Sequence, residues 1–468
     1  MRFTKMLRTN FLRNSLLAVL AVSLLTLSAL GQEPSKKDIR KSNNLVTDGN
    51  KAFNQKNYRN AIEKYAEAVV LVPRNAAAHF WKGYAHYYLK EYPAAMTELN
   101  LAESQGHSAV EVSKVRWFLH YDAKDFDAAL ADAKRGLQAE PNNQMMLRAV
   151  GDIEYQKKNY DDSLAAFQQA LLGAPNDGTL YFFIARAQQA RGDVKAQEAA
   201  AAMAVSKPNQ FLAESNILLA DALHRQRKFD QAIAAYQKVL AANPENVQTY
   251  RSMGDIYRAQ SKFQAAIDIT RQAIRKWPQD GNLYTDISWY YSLNGDNKEA
   301  VETAQSATQL LPEQYMGYTN LCRAHNDLEQ YQSAITACNS ALRLNPNDGE
   351  TYFYLARAYK QSNRTAEAGR AIDKAVPGLE KFTQDNPDYS DGFYLLGNAY
   401  SENGNFEKAL EAYRKCLQLS PGFSRARYNS GAIYVHLNKK PEAMAQYQAL
   451  LPLNADLATK LKAVIDKM

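Results

Sequence analysis

Residues 247–280 read VQTYRSMGDIYRAQSKFQAAIDITRQAIRKWPQD, and this stretch decides the fold. Tyr250, Met253, Gly254 and Tyr257 recur at intervals of three and four, which places them on one face of a helix. Phe263 opens a second run of the same period. Pro278, which cannot continue a helix, closes the unit. Gly254 and Ala266 are small, one on each run. Two antiparallel helices approach closely only where side chains are small, so this pair predicts the contact of a helical hairpin.

The same marks return through the chain in blocks of 34 residues counted from Ser42. Gly49, Gly83, Gly151, Gly254, Gly397 and Gly431 fall at position eight, with Ala185, Ala220, Ala356, Ser288 and Cys322 in other blocks. Position twenty is Ala61, Ala95, Ala129, Ala232, Ala266, Ala300, Ala334, Ala368, Ala409 and Ala443. An aromatic recurs at position seventeen (Tyr58, Tyr92, Phe126, Tyr160, Phe229, Phe263, Tyr331, Phe406), and Pro73, Pro141, Pro175, Pro244, Pro278, Pro312, Pro346 and Pro421 close blocks.

This pattern resembles the tetratricopeptide repeat family, in phase from about Ser42 to Asp456. Twelve repeats begin at Ser42, Ala76, Val110, Gln144, Gly178, Ala213, Val247, Gly281, Tyr315, Gly349, Ser390 and Ser424. The resemblance implies an all-α fold, a right-handed α-α superhelix whose first helices line a concave groove. One hairpin cannot bury both faces, so neighbours stack into a continuous core. The expected organisation is a leader at 1–31, a linker at 32–41, repeats one to ten at 42–389, repeats eleven and twelve at 390–456, and a capping helix at 457–468. The fifth repeat is one residue long, near Ser206-Lys207-Pro208-Asn209. The tenth carries seven extra residues, about two helical turns. A second helix longer by those turns would keep its face, while Pro377-Gly378 argues for a kink or break within it, and a bend between repeats ten and eleven marks the expected domain boundary.

The formal charge is +7, but residues 1–31 hold Arg2, Lys5, Arg8 and Arg13 and no acid. Without them 52 basic residues face 49 acidic ones, which gives no basic footprint for nucleic acid. The basic start, the apolar run Ser15–Leu30 and Ala29-Leu30-Gly31 predict an export signal cleaved after Gly31. The competing expectation is a retained membrane anchor, since no charge lies between Arg13 and Glu33. The chain is therefore expected to be exported, periplasmic or secreted, and tethered to a membrane only through an uncleaved leader.

No catalytic motif, dinucleotide fingerprint, phosphate loop or metal spacing occurs, so no enzyme activity, metal or cofactor is expected. The groove positions implied by the resemblance carry the candidates. Phe80, Tyr84, Tyr87, Tyr88, Phe118, Tyr121, Tyr155 and Phe182 fall there in the first five repeats, with Trp81 beside them. Such a patch marks a binding surface, unless the helices rotate and bury it as core. In repeat two, His79, Lys82 and His86 occupy normally apolar positions; Ser113, Arg116 and His120 do so in repeat three. Further on the groove positions become basic: Arg186, Arg251, Arg258, Arg323, Arg357 and Lys360. They suit carboxylates of a peptide or an acidic polymer, or else form ion pairs on a solvated face. Cys322 and Cys338, on facing helices of repeat nine, form a disulfide in an oxidising compartment or serve as small core residues.

The expected function is a protein-interaction scaffold outside the cytoplasm, binding a protein or peptide along the groove, in assembly of an envelope complex. The alternative is a polysaccharide-binding component of an exopolysaccharide export or synthesis system.

Overall fold

The computed structural model describes residues 33–468; the leader expected at 1–31 lies outside them. Among the described residues there are 25 helices and no strand, which is the all-α class. They fall into two compact units, divided between Phe211 and Leu212, so that the described part of the first is residues 33–211 and the second is 212–468. The first holds α1 (Lys36–Asn54), α2 (Tyr58–Leu71), α3 (Ala76–Tyr88), α4 (Tyr92–Ser104), α5 (Ala109–Asp122), α6 (Phe126–Ala139), α7 (Gln144–Gln156), α8 (Tyr160–Gly173), α9 (Gly178–Arg191) and α10 (Val194–Ser206). The second holds α11 (Leu212–Arg225), α12 (Phe229–Ala242), α13 (Val247–Ala259), α14 (Phe263–Lys276), α15 (Gly281–Asn294), α16 (Asn297–Leu310), α17 (Tyr315–Asp327), α18 (Tyr331–Leu344), α19 (Gly349–Gln361), α20 (Thr365–Asp385), α21 (Ser390–Glu402), α22 (Phe406–Leu419), α23 (Ser424–His436), α24 (Lys440–Leu450) and α25 (Ala455–Ile465). Each odd helix pairs with the next to form a hairpin, and α25 packs on α23 and α24.

The small positions explain the pairing. A methyl group added at Gly49 would sit 2.4 Å from the Tyr65 ring, and one at Gly151 or Gly397 2.5 Å from Phe167 or Tyr413. The ring at position twenty-four thus fills the space that glycine leaves at position eight. The alanines at position twenty are buried in every one of the ten blocks named above. In repeat nine the same two positions are Cys322 and Cys338, and their sulfurs are bonded.

Three expectations need correction. Helix α1 begins at Lys36, capped by the Ser35 hydroxyl accepting from the Asp38 N–H, so Lys36 to Lys41 are helical rather than linker. The compact units divide at Phe211/Leu212, not between repeats ten and eleven. There the extra residue belongs to a segment that folds onto the first unit, with the Gly178 N–H donating to the Pro208 carbonyl at 3.0 Å. Finally, α20 runs unbroken for 21 residues with Pro377 inside it. Gly378 lies against Gly349 with no room for a side chain on either: an added methyl would meet backbone at 2.7 Å from Gly378 and 2.5 Å from Gly349. Pro377-Gly378 therefore marks a backbone-to-backbone crossing of α20 with the start of α19, not a break. No described helix is long and apolar enough to cross a membrane.

Candidate functional site

In the second unit the first helices of successive hairpins, α13, α15, α17, α19, α21 and α23, enclose a cavity of about 1180 Å³. Trp289 and Phe353 on these helices, with Tyr389 at the α20–α21 junction, give it aromatic walls, and Asn282, Asn320 and Asn398 supply amides. The Asn320 amide donates to the Thr285 carbonyl at 2.9 Å and to the Ser288 hydroxyl at 3.0 Å.

The predicted groove arginines of this unit line the cavity, but they come paired. Arg251 holds Asp286 through two N–H donors at 2.6 and 3.2 Å. Burial outweighs that partner and raises the Asp286 carboxyl above its ordinary range. Arg323 donates to Glu350 at 2.6 Å and to Asn320 at 3.1 Å, and Arg357 to Asp327 at 2.8 Å. Lys360 donates to Glu402 at 2.5 Å. Arg258 donates to Asp391, and its Nε lies 3.6 Å from Asp255. Burial alone would lower the Arg258 guanidinium, but Tyr389, Asp391 and Asp255 hold it above its ordinary value. Of the two readings of these positions, the structure has the ion pairs: the cations are met by carboxylates of the same unit.

Arg258 and Asp391 lie 133 residues apart. The guanidinium sits 4.5 Å from the Trp289 ring and 5.3 Å from the Tyr389 ring. Arg425 of α23 donates to the Leu293 carbonyl of α15 at 3.3 Å, a second contact across the same cavity. The helix that delivers Tyr389 and Asp391 is α20, 21 residues long against 14 in most second helices of this unit. Those two extra turns, about 10 Å, carry the next repeat inward. Trp289 stands at groove position nine of repeat eight and Asp391 at groove position two of repeat eleven. Both positions are legible in the repeat frame, yet the aromatic and basic patterns point elsewhere. Tyr389 lies in the irregular junction, where the frame gives no signal.

In the first unit the aromatic candidates separate into core and surface. Phe80 and Phe182 are buried, so as groove candidates they are corrected to core. Phe80 stacks on His107 at 4.2 Å and Phe182 on Phe211 at 4.7 Å. Trp81, Tyr84, Tyr87, Phe118, Tyr121 and Tyr155 are half-buried, and Tyr88 is exposed. All but Tyr155, which meets Tyr160 at 5.7 Å, join in a continuous run of ring contacts. Tyr58 stacks on Tyr88 at 4.8 Å, Tyr88 meets Tyr84 at 5.2 Å, and Tyr87 meets Phe118 at 6.4 Å. Phe118 lies 3.9 Å from Trp117, which reaches Tyr121 at 5.7 Å. Arg186 lies over Tyr155 at 4.5 Å.

The polar residues of repeats two and three face second helices: those of repeat two face α4 of their own hairpin, and Arg116 of repeat three reaches back to α4 of the preceding one. His79 and Lys82 both hold Glu98, at 2.6 and 2.8 Å, and the hydrogen bond to Glu98 raises the His79 imidazole. Arg116 holds Glu103 at 2.7 Å. This is why the apolar weight of α3 and α5 moves to the other side. Among the described residues no group of His, Cys, Asp and Glu has the arrangement of a metal site.

Sequence profiles described as tetratricopeptide repeat match residues 48–108, 119–178, 217–281, 326–382 and 390–423, together more than half of the chain. The chain is 34% identical over 103 residues to small glutamine-rich tetratricopeptide repeat-containing protein 2 of Saccharomyces cerevisiae, 22% of this chain and 30% of that one. It is 30% identical over 82 residues to a UDP-N-acetylglucosamine–peptide N-acetylglucosaminyltransferase of Giardia intestinalis, 18% of this chain and 6% of that one. It is 36% identical over 53 residues to the photosystem I assembly protein Ycf3 of Acaryochloris marina, 11% of this chain and 32% of that one. It spans less than a third of the length of each of these relatives. Among solved structures it is similar to the APC/C hetero-tetramer Cut9-Hcn1, at 14% identity and a TM-score of 0.40 over 95% of this chain and 98% of that one. It is also similar to yeast Tom70, at 15% identity and a TM-score of 0.39 over 92% of this chain and 96% of that one.

Proposed function

The chain belongs to the tetratricopeptide repeat family, and from that premise we propose that it is a non-catalytic scaffold that binds a peptide or protein segment inside the cavity of its second unit. Proteins of this family are generally protein-interaction scaffolds. One observation carries the assignment: the cavity of the second unit combines aromatic walls with amides and paired charges over about 1180 Å³, beyond the roughly 300–1,000 Å³ of small-molecule sites. The exposed edge of the tyrosine run in the first unit, at Tyr88 beside the half-buried Tyr84, is the second contact surface of this proposal.

The same proposal places the protein outside the cytoplasm, in assembly of an envelope complex. Two features support export: the basic, apolar and small-residue order of residues 1–31, and the bond between Cys322 and Cys338, a type that persists in oxidising compartments. An acidic polysaccharide is the weaker candidate, because Arg251, Arg258, Arg323 and Arg357 each already hold a carboxylate.

A photo-reactive phenylalanine analogue in place of Phe353, in the cavity, tests the binding site. It should cross-link a protein in native envelopes that the same analogue in place of Gln305, exposed on α16, does not reach. Equal capture from both positions, or capture from neither, would remove the cavity from consideration.

A further inference from the structure

The other groove cations of the second unit bind carboxylates one repeat away: Arg251–Asp286, Arg323–Glu350, Arg357–Asp327 and Lys360–Glu402 are separated by 35, 27, 30 and 42 residues. These pairs join neighbouring hairpins. Arg258 is different, because its main partner comes from 133 residues away, across the cavity. The two side chains are about nine-tenths buried, at 9% and 12% exposed. The guanidinium lies against both Trp289 and Tyr389, whose rings are themselves 6.3 Å apart. A desolvated guanidinium with aromatic walls is a strong carboxylate receptor.

That receptor is only partly used. The Arg258 Nε is buried and makes no hydrogen bond, its Asp255 neighbour standing off at 3.6 Å, although a guanidinium can grip a carboxylate through two parallel N–H donors. Asp391 is fixed in the first turn of α21, and the bond it makes goes to the other arm of the fork. A carboxylate on a separate chain carries no such constraint.

We propose that Tyr389-Ser390-Asp391 is an internal occupant of the ligand site, and that the ligand is a peptide presenting a carboxylate two residues after an aromatic, which displaces Asp391 from Arg258. This rests on the peptide-binding function proposed above. The ligand's aromatic takes the place of Tyr389 beside Trp289, and its carboxylate takes the Arg258 fork. The opened clasp then admits the remainder of the segment to the cavity. A peptide is favoured over a sugar acid because the group now in place is itself a peptide, with its ring and carboxylate both engaged.

The chain's own segment, supplied separately, is the probe. A fluorescent peptide with the sequence of residues 386–395, NPDYSDGFYL, is titrated into full-length wild type and Asp391→Asn chains by anisotropy. The Asp391→Asn chain should bind it at least about tenfold more tightly, since an internal competitor lowers apparent affinity by the fraction of sites it leaves open. The gain should vanish for a peptide with Asn in place of its second Asp, and in an Arg258→Gln, Asp391→Asn double variant. Tyr389→Ala, which leaves the carboxylate in place, should give a smaller gain in the same direction. Equal affinity of wild type and both single variants overturns the inference, as does a gain that persists with the Asn peptide. Displacement of the probe by a glucuronate oligosaccharide at a lower concentration than by unlabelled peptide overturns the peptide assignment. If affinities are equal while the analogue at position 353 still captures its partner, the binding function stands and only the internal occupant falls.

Discussion

At the residue scale, the hairpin turns show a regularity that composition hides. Lys56, Lys90, Lys124, Lys158, Arg227, Ser261, Glu329, Asn363 and Asn438 have positive φ, as do Gly192, Gly295 and Gly404, one residue per repeat. At each turn the chain reverses through paired backbone bonds, as where the Lys124 N–H donates to Tyr121 and the Asp125 N–H to His120. A side chain in this conformation costs about 1 kcal/mol. Lys124→Gly should therefore raise the urea midpoint, by an amount worth up to about 1 kcal/mol. The position is not legible in the sequence because lysine, serine and glutamate carry no signal for a left-handed backbone. The glycines at position eight are legible because their role is steric. Gly397→Ala places a methyl within 2.6 Å of the Tyr413 ring, and overpacking of this kind costs about 1–3 kcal/mol, readable in the same denaturation. Asp152, held at about 6 by burial against the opposing pull of Arg148 and Arg186, gives a pH-dependent case. The fold favours its protonated form. Its contribution is complete below the ordinary carboxylate range near about 4 and is lost as pH rises through about 6. Asp152→Asn should stabilise the protein by on the order of 2 kcal/mol at pH 7.5 and leave it close to the parent at pH 4.

At the element scale, the hairpin frame is readable because two requirements repeat in phase: a small residue on each helix and a proline at the junction. Where the frame is interrupted, the sequence is less informative. The seven additional residues are visible, but Pro377-Gly378 has two physical meanings. Proline ends most helices, whereas here Gly378 serves a crossing with Gly349 inside a continuous α20. Gly378→Ala and Gly349→Ala should each cost about 1–3 kcal/mol, more than an alanine at Gly369, which has nothing within 4 Å. Thermal unfolding of the three variants compares them directly, and equal midpoints would refute the crossing. The choice of ion-pair partners is likewise invisible in the period. Arg251 and Arg258 share a helix face in sequence, but one binds the adjacent hairpin and the other reaches across the cavity. The frame fixes which side of a helix a residue occupies, while curvature of the stack decides what lies opposite.

At the scale of the whole molecule, twenty-four helices among the described residues form hairpins and α25 caps the last of them. The proposed function uses their inward surface. In the first unit that surface is a run of aromatic rings legible as a patch, while Phe80 and Phe182, at equivalent groove positions, are core. In the second it is the cavity closed by Arg258 and Asp391, whose charged residues are legible singly and whose closure is not. The most direct measurement is hydrogen exchange along the full chain, with and without the partner captured at position 353. Added protection should recur in α13, α15, α17, α19 and α21, the first helices of successive hairpins, and leave α14, α16 and α18 unchanged. Protection confined to the second helices would contradict a scaffold that works from its inner face.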